Sequence, residues 1–202
     1  MIISEKMLLE NHPYYKEMGE LIIHNYKYYY KNKRDGNCFY YAFIIAFLNK
    51  IKNIEEKEYK QIINKFIDSY QKVKEIKRKG LYFEDFYEMT IENISKIRKN
   101  ENDIDFLKVD FNEITAYLKI LISTQLLTRR EKYEPFEDVD KLAAQVESFY
   151  RETGHVEIKA LSDFLEIKIT ILSTLEPNIT EYGNNSVCVS ILYTHNHFEP
   201  LE

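Results

Sequence analysis

The chain has no tryptophan, only two cysteines, and few of the residues that break regular structure: five glycines and four prolines in 202 positions. Glycine and proline together average roughly 12% of a globular chain, so this scarcity disfavours an all-β sandwich with many tight turns. Long helices are the expectation instead. Cys38 and Cys188 are too few to staple a secreted scaffold and too isolated for a zinc site built from paired ligands. They read as free thiols of a reducing compartment, cytoplasmic by default with the nucleus as the alternative. There is no basic excess either. The 28 Lys and Arg against 33 Asp and Glu leave a formal charge of −5, which argues against a surface built to neutralise nucleic-acid phosphates or an anionic bilayer. The longest apolar run, Phe39 to Leu48, is half of the ~20 residues a membrane helix needs. Glu5 and Lys6 interrupt the N-terminus before the apolar core of a secretory leader could form. No repeat and no Pro, Gly or Ser-rich linker divides the chain, so residues 1–202 are expected to form one domain.

What is abundant is aromatic. Seventeen Tyr and 12 Phe supply the large core side chains. A first helix is expected around Pro13 to Tyr30, followed by a polar break over Lys31 to Asn37. Cys38 to Leu48 is apolar on nearly every side, so this helix should run through the middle of the domain. Between Lys50 and Lys79, Ile62, Ile63, Phe66, Ile67, Tyr70, Val73 and Ile76 recur at helical spacing, and Gly80 closes the segment. The same segment carries ten basic and five acidic residues, read as a solvated helix face, with a docking patch as the alternative. Helical spacing resumes over Phe86 to Lys99 and Phe111 to Leu127, separated by the polar stretch Asn100 to Asp105. The last third changes character. After a helix near Lys141 to Arg151 and a turn at Gly154 come Val156 and Ile158, a short helical piece, the run Lys168 to Leu172, and the clearest strand, Val187 to Tyr193. Helices first and strands late predict an α+β fold with helices packed on a small sheet.

The segment Arg34-Asp35-Gly36-Asn37-Cys38-Phe39-Tyr40 carries the most chemistry. A cysteine in the first turn of a helix meets unpaired N–H groups and the positive end of the macrodipole, which should lower its pKa and make it a nucleophile. The turn before it can aim backbone N–H groups at one point, as an oxyanion hole requires, with Gly36 free to be left-handed and Asn37 able to cap the helix. A buried structural cysteine is the competing reading, and Cys188, within its strand, is read that way. For a base, His12, His24, His155, His195 and His197 compete. If the strand continues past Tyr193, residues 195, 197 and 199 share a face, placing Glu199 where it can orient His197 toward a thiol. The bland alternative is a surface pair. As zinc ligands, His195 and His197 lack an obvious third partner, and no metal or other cofactor is expected.

DGNCFY followed by Ala42-Phe43 resembles the nucleophile motif of the ovarian-tumour (OTU) family of cysteine deubiquitinases, in its otubain branch. Tyr26 to Tyr30, Leu118 to Phe136, Ala144 to Leu165 and the terminal run Ile191-Leu192-Tyr193 through His197-Phe198-Glu199-Pro200-Leu201 are similar to that branch as well. The resemblance implies a papain-like fold, a small mostly antiparallel sheet between helices with the nucleophile opening a central helix. It implies a thiol hydrolase in which Cys38 matches the nucleophile, His197 the base, Asp35 the acidic residue shaping the oxyanion loop 35–38, and Glu199 the position of the Asp or Asn that orients the histidine. Glu199 and Tyr41, where otubains carry Arg, depart from the pattern. Ubiquitin or polyubiquitin is the implied partner, with a ubiquitin-conjugating enzyme as a second. Only 37 residues precede Cys38, so the N-terminal arm some otubains use against conjugating enzymes is expected to be shortened. A ubiquitin-binding module with weak or no turnover is the alternative function, and a helical interaction protein docking through residues 50–79 is a third.

Overall fold

The computed structural model describes residues 5–76, 82–99, 103–148, 150–175 and 179–202. In chain order the elements are β1 (Glu5–Leu8), α1 (Glu20–Asn25), β2 (Tyr28–Lys31), α2 (Cys38–Asn53), α3 (Glu56–Ile76), α4 (Glu84–Lys99), α5 (Phe111–Thr128), α6 (Arg130–Tyr133), α7 (Val139–Val146), α8 (His155–Leu165), β3 (Lys168–Ser173), β4 (Ile179–Tyr182), β5 (Cys188–Thr194) and β6 (His197–Pro200). The α+β architecture is as the sequence implies. Strands β4-β3-β5-β6 form one sheet in that order, antiparallel except for the parallel β3–β5 pair. The α2 helix packs on β5 and β6, and α5 packs against α2, α3, α4, α7 and α8.

Composition explains the arrangement. Every residue of α2 from Cys38 to Leu48 is buried, and α5 is buried almost throughout. A helix without a solvated face must be wrapped on all sides, and each fully buried large apolar side chain contributes roughly 1.5–3 kcal/mol. The amphipathic helices α3 and α4 close the outer side, and the sheet closes the other. No helix of the described residues is long and apolar enough to cross a membrane.

Several local expectations are corrected. The predicted helix over Pro13 to Tyr30 is only the six residues of α1. The tyrosine-rich stretch after it is extended, because Tyr28–Lys31 pairs antiparallel with Glu5–Leu8 and the Tyr28 backbone exchanges hydrogen bonds with Glu202 at 2.7 and 2.9 Å. Tertiary pairing outweighs local helical spacing there. The segment from Lys50 is split, since α2 runs on to Asn53 and α3 starts at Glu56; Gly80, expected to end it, lies outside the described residues, as do positions 100–102 of the polar stretch after α4. The helix placed over Lys141 to Arg151 ends at Val146, and Val156 and Ile158 belong to α8. Cys188 opens β5 and is half-buried, its thiol 3.4 Å from the Thr170 hydroxyl, rather than fully in the core.

The end of the chain also differs. Extended structure does not continue past Tyr193 to residue 195. His195 and Asn196 take positive φ values of 46° and 60°, and Thr194 pairs with His197 across them. Two consecutive positive φ values make the two-residue turn whose twist matches a β-hairpin. The chain reverses there, and His197 and Glu199 share one face of the return strand β6.

Candidate active site

Cys38 is the first residue of α2, and the turn before it is built by Asp35. The Asp35 carboxylate accepts the Asn37 N–H at 2.9 Å, its carbonyl accepts the Cys38 N–H at 3.0 Å, and Lys33 pairs with it at 3.0 Å. Asp35 therefore holds the turn together. Two of the N–H groups expected to face an oxyanion, those of Asn37 and Cys38, are engaged within the turn. Asn37 does not cap α2 with its side chain. Its amide instead reaches across the molecule, Oδ1 accepting the Tyr150 N–H at 3.3 Å and Nδ2 donating to the Tyr41 hydroxyl at 3.4 Å. The tyrosine at position 41 thus helps hold the loop.

Gly36 is not left-handed. Its smallness is needed for another reason, because a Cβ there would lie 1.8 Å from the Tyr150 carbonyl oxygen. The segment carrying Tyr150 is fixed from below. The buried Lys119 ammonium donates to the Ser148 carbonyl at 2.6 Å and lies 4.9 Å from the centre of the Tyr40 ring. Burial, with Arg151 adding to it, pushes this lysine down to about 8 against the opposing pull of Asp35 and Glu157. Glu157, buried in the first turn of α8, pairs with Arg151 at 2.6 Å and accepts the Gly154 N–H at 3.0 Å.

Asn32 Nδ2 donates both to the Cys38 carbonyl at 3.1 Å and to the Phe198 carbonyl at 2.9 Å, tying the start of α2 to β6. Phe198 follows His197, and its ring packs edge-on against Phe39, the residue after Cys38, with centroids 5.4 Å apart. The thiol is not lowered as the helix-terminus argument expects. Burial raises it above the ordinary thiol value; the N–H groups of Phe198 and Phe39 pull the other way, and Asp35 and Glu152 push it further up. Desolvation outweighs the helix terminus at a side chain only 7% exposed.

His197 is buried and its pKa lowered, chiefly by burial, with Arg34 and His12 adding to the effect and Glu199 and Asp35 opposing it. Its Nε2 is 3.9 Å from Glu199 Oε1, while Nδ1 is buried with no hydrogen-bond partner among the described residues. The other Glu199 oxygen lies 2.8 Å from His12 Nε2. The five histidines are therefore sorted by position. His24 bonds to the Glu20 carbonyl of its own helix, His155 contacts the Tyr182 hydroxyl, His195 sits in the exposed turn, and His12 lies behind Glu199. Of the five, His197 alone lies in β6, next to the Phe198 carbonyl that Asn32 ties to the start of α2.

A cavity of about 170 Å³ opens beside the thiol, lined by Gly36, Cys38, Thr153, Gly154, His155, Tyr182, Tyr193 and Phe198, among others. Its walls are mostly apolar or backbone, which suits a small, extended, uncharged segment of chain. Sequence reasoning did not find Asn32, Lys119, Glu157 or the part played by His12. His12 was visible only as one of five histidines, and the others carry no local signal because their partners are distant in sequence.

A family model described as Peptidase C65 Otubain matches residues 1–200. The chain is 26% identical to ubiquitin thioesterase OTUB1 of Homo sapiens, over 87% of this chain and 70% of that protein. It is 22% identical to the ovarian tumor domain-containing deubiquitinating enzyme 1 of Arabidopsis thaliana, over 85% of this chain and 59% of that one. Among solved structures, h/ceOTUB1 with ubiquitin aldehyde and UBCH5B~Ub superposes with a TM-score of 0.81 at 18% identity, covering 99% of this chain and 89% of that chain. A ceOTUB1 complex with ubiquitin aldehyde and UBC13~Ub gives the same TM-score and identity, covering 99% and 92%.

Proposed function

Because the chain belongs to the peptidase C65 otubain family, we propose that it is a ubiquitin-specific cysteine isopeptidase whose nucleophile is Cys38 and whose base is His197. The observation that carries the assignment of residues is the Asn32 side chain bonded to both the Cys38 and the Phe198 carbonyls, which ties the opening turn of α2 to β6 beside His197. His197 takes the thiol proton as sulfur attacks the carbonyl joining ubiquitin's terminal glycine to a lysine amine. The carbonyl oxygen becomes an oxyanion facing the 35–38 turn. The intermediate collapses, the C–N bond breaks, and the imidazolium returns its proton to the departing amine. Water then attacks the thioester, His197 again accepting a proton and passing it to the leaving thiol. Glu199 stabilises the imidazolium, and Asp35 holds the turn.

The cavity beside the thiol supports entry of a Gly-Gly tail, since Gly36, Gly154 and the rings of Tyr182, Tyr193 and Phe198 leave room for backbone and little else. By the same premise ubiquitin or polyubiquitin is the partner, with a ubiquitin-conjugating enzyme as a second, and residues 1–202 act as one catalytic domain in a reducing compartment, cytoplasm or nucleus.

The test is intact mass after incubation with ubiquitin bearing a thiol-reactive electrophile at its C-terminus, run beside Cys38→Ala. The wild type should gain one ubiquitin and the variant none. A folded wild type that gains nothing would leave the binding-module reading in its place. The base assignment has its own signature in pH. His197 must be neutral to accept a proton, and a lowered pKa keeps it neutral further into acid. The acid limb of kcat/KM should therefore fall below the ordinary histidine value of 6.5. A limb above that value would contradict a desolvated imidazole as the base.

A further inference from the structure

We infer that His12 is a positioning residue of this peptidase, holding the Glu199 carboxylate where it faces His197; the inference rests on the peptidase reading above. His12 Nε2 and Glu199 Oε2 are 2.8 Å apart with both side chains buried, 2% and 7% exposed. The hydrogen-bond pattern fixes the tautomer. The Tyr14 N–H donates to His12 Nδ1 at 3.1 Å, so that nitrogen carries a lone pair. Nε2 therefore carries the proton and donates to Glu199.

Glu199 needs such a donor. Its Oε1 is 3.9 Å from His197 Nε2, beyond hydrogen-bond distance. A glutamate also has one more rotatable bond than the shorter residue the family motif carries at this place, so its carboxylate has more positions to occupy. Tethering Oε2 to a fixed imidazole removes that freedom and leaves Oε1 directed at His197. It also meets part of the cost of keeping a carboxylate buried.

His12 is itself well held. Its ring packs edge-on against Tyr29 with centroids 4.6 Å apart. Two residues on, Tyr14 stacks on His195 at 4.0 Å and 21°, and Glu17 reaches to 4.0 Å of the His195 ring. The segment from His12 to Glu17 thus touches β6 through Glu199 and the turn before it through His195. The charged and titratable groups facing this chain are Glu199, His197, Tyr29 and, through their fields on His197, Arg34 and Asp35.

The experiment is steady-state hydrolysis of ubiquitin bearing a C-terminal aminocoumarin by wild type, His12→Leu, His12→Gln, His12→Asn, Glu199→Ala and the double variant His12→Leu/Glu199→Ala. His12→Leu should lower kcat about tenfold to a hundredfold, the scale of a displaced catalytic group, with KM little changed. A glutamine amide nitrogen sits near the place of Nε2 and an asparagine amide does not, so His12→Gln should recover most of the loss and His12→Asn should not. In the Glu199→Ala background, His12→Leu should cost nothing further, because the residue it acts through is gone.

Equal kcat for the Gln and Asn variants would overturn the inference, even if the Leu variant fails to fold. So would a His12→Leu loss of the same size with and without Glu199, which would mark a merely structural role. A folded wild type with neither turnover nor an electrophile adduct would overturn the peptidase reading itself. Wild-type turnover with the wrong pattern of variants overturns only the role of His12.

Discussion

Cys38→Ala should abolish hydrolysis of ubiquitin-aminocoumarin, and His197→Ala should slow it about 10³- to 10⁴-fold, with the two losses responding differently to pH. The alanine at position 38 leaves no thiol to attack the carbonyl. The fold should survive, because the change removes one sulfur from a short side chain and the Cys38 backbone bonds to Asp35 and Asn32 remain. A melting temperature within a few degrees of wild type is the check. The His197 variant keeps its thiol, but burial holds that thiol above the ordinary value, so little thiolate exists near neutral pH. With the imidazole gone, hydroxide must supply the thiolate. The logarithm of kcat/KM should then climb with pH up to and beyond the ordinary thiol range, where the wild type is level above the histidine limb. Addition of base rescues His197→Ala and never Cys38→Ala. A His197→Ala profile as level as the wild type's would remove His197 from the mechanism.

The parts of this site legible in the sequence are those set by neighbours a few residues apart. The Asp35 to Cys38 turn is one, since its bonds run from Asp35 to Asn37 and Cys38. The shared face of His197 and Glu199 is another, because alternation along a strand survives even though the strand begins later than expected and after a reversal at His195 and Asn196. The long helices α4 and α5 are legible for the same reason, since three- and four-residue spacing is a local property, and α2 from an unbroken apolar run. What was not legible depends on distant parts of the chain. The pairing of Glu5–Leu8 with Tyr28–Lys31 turned an expected helix into a strand. Gly36 looked like a conformational glycine and is a steric one, because the contact comes from Tyr150. A helix terminus beside the thiol can be read from order in the chain, whereas the burial that raises its pKa cannot. His12 and Glu199 are 187 positions apart, and no spacing rule connects them.

Gly36→Ala should lower kcat/KM about a hundredfold while Gly19→Ala leaves it unchanged. The added methyl would meet the Tyr150 carbonyl oxygen at 1.8 Å, its carbonyl carbon at 2.0 Å and its Cα at 2.7 Å, and backbone cannot swing aside as a side chain can. Backbone preference is not the obstacle, since Gly36 lies outside the left-handed region. One of two surfaces must move. If the Tyr150 segment lifts, the Asn37 Oδ1 bond to the Tyr150 N–H breaks and the wall of the cavity at Thr153 and Gly154 shifts with it. If the turn yields instead, the Asn37 and Cys38 N–H groups leave their places and the oxyanion loses its donors. Either movement is on the scale of an ångström at the reacting carbonyl. Overpacking should also cost about 1–3 kcal/mol of stability, read as a lower denaturation midpoint. Gly19, at the start of α1, has nothing within 4 Å of the place a methyl would take and so serves as the matched control. The two readouts separate the causes. Loss of stability with wild-type kcat/KM would mean that the Tyr150 segment yields without disturbing the turn, and the position of that segment would then not matter to the reaction. Loss of rate in a folded protein that still forms the ubiquitin adduct slowly would place the damage at the oxyanion loop, since the thiol and the ubiquitin surface would both be intact.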